Sequence, residues 1–265
     1  MALPLYIVNA FTAAPFGGNP AAVVPLAAWL PDHCLQAMAA QHQLSETAFF
    51  VGTDSGWQLR WFTPTQEVDL CGHATLATAH VLSTELGVDG VLSFATRSGT
   101  LRVEALGDAR YTLDFPAVKL APADPDPRVA EALGCRVLEA AKPLDNPWQW
   151  VYRVADQSVV AGLRPDFSAL AAAADYGIAV TAPGDRHDFV SRFFIPSAGV
   201  DEDPVTGSAH CLLTPFWAER FNKMQLLARQ ISDRGGELRC ALDGDRVKLT
   251  GSAVSYARGE ILPEL

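Results

Sequence analysis

Arg60-Trp61-Phe62-Thr63-Pro64, continued by Glu67, Asp69, Gly72-His73-Ala74 and an apolar run, decides the fold because the same order occurs twice. The second copy reads Arg192-Phe193-Phe194-Ile195-Pro196, then Asp201, Glu202, Asp203, Gly207-Ser208-Ala209 and another apolar run. From arginine to glycine is 12 residues in the first copy and 15 in the second, and the copies stand 132–135 residues apart, half of a 265-residue chain. Strand, proline, acidic loop, glycine and helix in one order, repeated at half the length, is the mark of a duplicated domain. Around both copies short strands alternate with isolated helices. That mixture predicts two α+β domains rather than a doubly wound parallel sheet.

Working outward from the first copy, residues 5–11 read as a strand. Asn19 as N-cap and Pro20 at the first helical position predict a short helix through about Ala28. Pro31-Asp32 opens a second helix to about His42, with Leu35, Met38 and Ala39 on one face. Strands are expected at 45–51 and 58–62, a loop at 63–72, a helix from about His73 to Glu85, and short strands at 91–96, 100–105 and 110–115. Pro116, Pro122, Pro125 and Pro127 mark 116–128 as the linker, since proline suits neither helix interiors nor sheet ladders. The expected domains are therefore 1–118 and 119–265, the last strands able to pack back on the first domain. Around the second copy, helices are expected near 127–133, 165–174 and 208–221. Strands are expected near 135–140, 147–153, 157–162, 176–181 and 187–194, a loop at 195–207, and a closing meander at 237–242, 245–250 and 252–258.

Composition narrows the class of partner. Thirty acidic residues against 20 basic ones give a net charge of −10, without a basic cluster to meet a run of phosphates, so nucleic acid is not an expected partner. No apolar run approaches the roughly 18 residues needed to cross a bilayer. Met1-Ala2-Leu3-Pro4-Leu5-Tyr6-Ile7-Val8 lacks the basic lead-in of a secretory signal and reads as a first strand. The five cysteines, at 34, 71, 135, 211 and 240, form no Cys-x-x-Cys pair, which fits neither a disulfide framework nor a zinc ribbon. Cys71 beside His73 and Cys211 beside His210 would each supply only two metal ligands, short of a closed site. A cytoplasmic protein acting on a small molecule, without a metal, is the expectation.

Each copy sets a glycine directly before a helix. The first N–H groups of a helix are unpaired and carry the positive end of its dipole, so they favour a carboxylate. Gly72 and Gly207 therefore read either as paired anion sites or as residues that permit tight turns. Asp203 and Ser208 could serve a site or cap the second helix, while Asp201 and Glu202 read as solvated loop. Glu46 stands alone between Leu44 and Ala48-Phe49-Phe50. A carboxylate among apolar residues has its charged form disfavoured and becomes a proton carrier near neutral pH; the alternative is a turn cap formed with Ser45.

Pro15-Phe16-Gly17-Gly18-Asn19-Pro20-Ala21, Ser45-Glu46-Thr47-Ala48-Phe49, Cys71-Gly72-His73-Ala74-Thr75 and Glu202-Asp203-Pro204-Val205-Thr206-Gly207-Ser208-Ala209 resemble, in order, the motifs of the PhzF family of phenazine-biosynthesis-like isomerases. Gln230-Ile231-Ser232-Asp233-Arg234-Gly235-Gly236 is similar to its closing motif, so the resemblance spans essentially the whole chain. It implies the diaminopimelate epimerase-like fold: two pseudo-symmetric α+β domains, each a curled, mostly antiparallel sheet around a central helix, with the site between them. It implies an isomerase or epimerase that moves a proton on a small carboxylated metabolite without metal or organic cofactor, and a homodimer. By motif, Glu46 would be the general acid/base, with His73, Asp203 and Ser208 assisting at the substrate's polar groups. Gly72 and Gly207 would offer backbone amides to its carboxylate, with Cys71 and Asn19 lining the site. Related epimerases use two opposed cysteines; here Thr206 stands where the second would be, which speaks against that chemistry. Asn9 replaces the aspartate of many relatives. A lyase or hydrolase of a related acid, or a non-catalytic metabolite-binding module on the same scaffold, are the rival readings.

Overall fold

The computed structural model describes residues 2–145 and 148–262. The chain divides into two compact units: 1–114 with 250–265, and 115–249. The division thus falls at Asp114/Phe115 rather than at 118, and residues 250–262 belong to the first unit, on which the last strands were expected to be able to pack.

The first unit runs β1 (Leu3–Ala10), β2 (Asn19–Leu26), α1 (Asp32–His42), β3 (Glu46–Thr53), β4 (Gly56–Phe62), β5 (Glu67–Val68), α2 (Gly72–His80), β6 (Val91–Thr96), β7 (Gly99–Gly107) and β8 (Arg110–Pro116). The second runs β9 (Leu120–Ala123), α3 (Pro127–Leu133), β10 (Glu139–Pro143), β11 (Gln149–Arg153), α4 (Gln157–Gly162), α5 (Phe167–Ala173), β12 (Gly177–Pro183), β13 (Phe189–Ile195), β14 (Val200–Asp203), α6 (Gly207–Phe221), β15 (Gln225–Gln230) and β16 (Gly236–Asp243). The last strand, β17 (Arg246–Ile261), begins in the second unit and pairs antiparallel with β1.

Strand pairing repeats between the units. In the first, β1–β2 is antiparallel, β2–β3 parallel, β3–β4 antiparallel, β4–β6 parallel and β6–β7 antiparallel. In the second, β10–β11, β11–β12, β12–β13, β13–β15 and β15–β16 follow the same alternation. The sheets are therefore mixed. A parallel pair needs a long crossover, and these crossovers hold the helices. The first crossover of each unit carries the outer helices, α1 or α4 and α5. The second carries the inner helix, α2 or α6. Every residue of α2 is buried, and it packs on β1, β2, β3 and β7. Pro215 lies inside α6, and the Cys211 carbonyl that it cannot bond accepts from Val118 N at 3.1 Å.

The duplication reaches side chains. Arg60 on β4 grips Glu67 on β5 through Nε and Nη2, both at 2.7 Å; Arg192 on β13 grips Glu202 on β14 in the same fork, both at 2.7 Å. Each guanidinium also lies over the aromatic ring two residues on, 5.1 Å from Phe62 and 5.0 Å from Phe194. Glu202 is thus a partly buried ion-pair partner, not part of a solvated loop.

Several local expectations need correction. Residues 19–26 form β2, not a helix. Pro25 would break a helix there, and the continuous apolar run Ala21–Val24 suits a strand covered on both faces. Residues 157–162 form helix α4, not a strand, because the Asp156 carboxylate caps it by accepting from Val159 N at 3.1 Å. The expected linker contains β9, paired with β10. Residues 246–258 belong to one strand rather than two, and Gly251 within it lets the Phe11 ring approach where a Cβ would fall 2.5 Å from it.

Candidate active site

In the first unit Asn19, Glu46, Cys71 and His73 come together. Glu46 is the first residue of β3, in parallel register with Ala21 of β2, and Asn19 begins β2. Gly18, at φ +67°, makes the turn into β2; a Cβ there would meet the Ala10 carbonyl at 2.2 Å. Asn9 supports this loop by donating to the Pro15 carbonyl at 2.7 Å. His73 is the second residue of α2, and Cys71 is the N-cap position before it.

His73 is buried, and burial lowers its pKa to about 3, so the ring is neutral at pH 7. A neutral imidazole has one donor and one acceptor nitrogen. The Asn19 amide nitrogen lies 3.2 Å from Nδ1 and can only donate, so Nδ1 accepts and Nε2 carries the proton. That Nε2 stands 3.2 Å from Glu46 Oε2. Both atoms are buried, close but without the alignment of a full hydrogen bond. The Glu46 side chain keeps 18% of its exposure, so it is shielded yet reachable.

Glu46, Cys71 and His73 each offer a ligand atom within 4.8 Å of the others. Cys71 Sγ lies 3.5 Å from Nδ1, whereas Glu46 faces Nε2.

In the second unit the acidic turn is tied at both ends. The Thr206 hydroxyl donates to Asp203 Oδ2 at 2.5 Å, and buried Gln230 accepts from Thr206 N at 2.9 Å while donating to the Asp203 carbonyl at 2.6 Å. Ser232 holds the Pro204 carbonyl at 2.8 Å. The closing motif therefore fastens the Asp203–Thr206 turn, a role the sequence did not disclose. Gly207 and Ser208 are the first two residues of α6, whose N-cap residue Thr206 makes no side-chain cap, and Ser208 Oγ accepts from Gln149 Nε2 at 2.9 Å. Neither Gly72 nor Gly207 has a positive φ; both are helical, so neither is there to make a left-handed turn. Asp201 is exposed and stays out of the cluster. Cys211 is buried on α6, and burial pushes its thiol up to about 12, too high for a base at neutral pH.

Gln149 escaped the sequence reading, and Gln230 was seen only as part of the closing motif. The available signal for Gln149 was a lone amide inside the aromatic run Trp148-Gln149-Trp150.

The phenazine biosynthesis-like protein family model (PhzC-PhzF) matches residues 8–259. The chain belongs to the PhzF family, an isomerase family. An uncharacterized isomerase of Pseudomonas aeruginosa is 49% identical over 262 residues, covering 98% of this chain and 99% of that one. The crystal structure of a PhzF-family protein from Enterococcus faecalis superposes with a TM-score of 0.94 at 44% identity, covering 99% of this chain and all of that one. A hydroxyproline epimerase from Agrobacterium vitis shares the fold at 12% identity and a TM-score of 0.62, covering 98% of this chain and 92% of that one. The PhzF assignment agrees with the α+β architecture. Among the described residues no helix is long and apolar enough to cross a membrane.

Proposed function

We propose that this PhzF-family isomerase moves a proton on a small carboxylated metabolite, without a metal or organic cofactor, using Glu46 as the general acid/base. The observation that carries the reading is the 3.2 Å approach of His73 Nε2 to the Glu46 carboxylate, with His73 5% and Glu46 18% exposed. Glu46 takes a proton from a substrate carbon and returns it to another position or to the other face. Neutral His73 holds its Nε2 proton 3.2 Å from Glu46, near enough to favour the ionised carboxylate without supplying a competing proton. In the first unit, unpaired N–H groups at the start of α2 suit the charge that develops on deprotonation, with Cys71 and Asn19 beside Glu46 and His73. In the second unit, the start of α6 with Ser208 suits a carboxylate, and Asp203, held in place by Thr206, suits a polar group beside it.

The test is incubation of the chain in D₂O with a panel of 2-amino, 2-hydroxy and unsaturated carboxylic acids, followed by NMR and mass spectrometry. Solvent deuterium at carbon in an isomeric product supports the reading. A product of different elemental composition, or tight binding with no exchange in any acid bound, overturns it in favour of a lyase, a hydrolase or a binding module.

A further inference from the structure

The first residue of β2 and the first residue of β11 hold equivalent places in the repeated strand pairing, and each carries an amide. Asn19 addresses His73, the second residue of α2; Gln149 addresses Ser208, the second residue of α6. Gln149 is fully buried. Its stem is wedged in place, since a Cβ on its register partner Gly177 would fall 3.3 Å from Gln149 Cγ and 2.3 Å from Phe193 Cζ. Gln149 Nε2 donates to Ser208 Oγ at 2.9 Å, whereas Oε1 has no protein partner among the described residues. Exchanging the amide's oxygen and nitrogen would leave the NH₂ half unmatched instead, so either orientation leaves half of a buried amide unmatched among the described residues. An unmatched buried carbonyl is costly and favours a bound water or a ligand group that donates to it.

We infer that Gln149 is a substrate-recognition residue whose Nε2 sets Ser208 as a hydrogen-bond donor and whose Oε1 accepts from a hydroxyl or ammonium group on the substrate. With its oxygen already accepting from Gln149, the Ser208 hydroxyl is directed to donate, which suits a carboxylate at the start of α6. The preferred ligand is then a small acid that carries a hydroxyl or amino group beside its carboxylate. This rests on the proposed site at Gly207 and Ser208, and the experiment separates the two.

The full chain, ¹⁵N-labelled, is titrated with propionate, lactate and alanine, and affinity is read from the Ser208 backbone amide. Lactate and alanine should bind about fivefold more tightly than propionate, the effect of one net hydrogen bond. Gln149→Met should abolish that preference. Gln149→Glu, which keeps an acceptor, should retain the preference while weakening all three acids. Ser208→Ala should weaken the three acids equally. Equal binding of the three by the wild-type chain, or a preference that survives in Gln149→Met, overturns the role of Gln149 while leaving the anion site intact. Failure of all three to shift Ser208 overturns the role and the anion site together.

Discussion

Asn19 Nδ2 lies 3.2 Å from His73 Nδ1, and this contact determines which nitrogen of the ring bears the proton. When Glu46, on the far side of the ring, is ionised, it favours a donor there, because a carboxylate only accepts. The two neighbours therefore demand the same tautomer. Asn19→Asp presents an acceptor to Nδ1 and draws the proton to that side, leaving Nε2 as a lone pair against Glu46. Turnover should fall 10- to 100-fold with little loss of fold, the size seen when an orienting partner is removed. The ¹⁵N shifts of His73 check the tautomer, which should be Nε2–H in the wild-type chain and Nδ1–H in the variant.

The paired arginine forks make a stability prediction. Arg192 and Glu202 retain 9% and 18% side-chain exposure, and Arg192 also donates to the Leu163 carbonyl at 2.9 Å. Glu202→Ala leaves the guanidinium poorly matched in a partly buried setting and should cost about 3 kcal/mol in denaturant unfolding. Replacing both partners by apolar residues of similar size should cost less than the single change.

Two buried imidazoles make stability depend on pH. Burial lowers His73 to about 3 and His210 to about 4, so both are neutral in the folded chain and protonate near 6.5 when unfolded. The unfolded state binds more protons between those values, so stability is full above about pH 6.5 and falls as pH drops toward 3–4. Each histidine should remove roughly 2 kcal/mol between pH 7 and pH 5. Urea unfolding of His210→Gln beside the wild-type chain, at both pH values, should show one such share missing. The same shift means that activity should show no inflection near 6.5 from His73.

Gly18 is a backbone requirement. At φ +67°, with a Cβ 2.2 Å from the Ala10 carbonyl, Gly18→Ala should destabilise the chain by at least about 2 kcal/mol and displace Asn19 from His73. Thermal unfolding and the His73 tautomer would both register it.

What could be read from the sequence follows the range of each interaction. The repeated order from Arg60 to Gly72 and from Arg192 to Gly207 was visible because it is local, whereas the pairing of Arg192 with Glu202 was not, since an acidic run before a helix also suits a solvated loop. The Gly-His and Asp-Pro-x-Thr-Gly-Ser motifs were visible because helix starts are local. Asn19-Pro20 misled because a residue that caps a helix and a proline that opens one also suit the first turn into a strand; Pro25 was the contrary sign. Val159-Val160 looked like a strand because the Asp156 cap was not weighed. Gln149 and Ser208 are 59 residues apart and meet only through packing of β11 on α6, which no local pattern records.

The central claim is that Glu46 carries the proton. On whichever acid the wild-type chain isomerises in D₂O, Glu46→Gln should lose at least about 100-fold in the rate of solvent exchange at carbon, the usual scale of a lost general base, while binding of that acid persists. Exchange by Glu46→Gln at the wild-type rate would contradict the account.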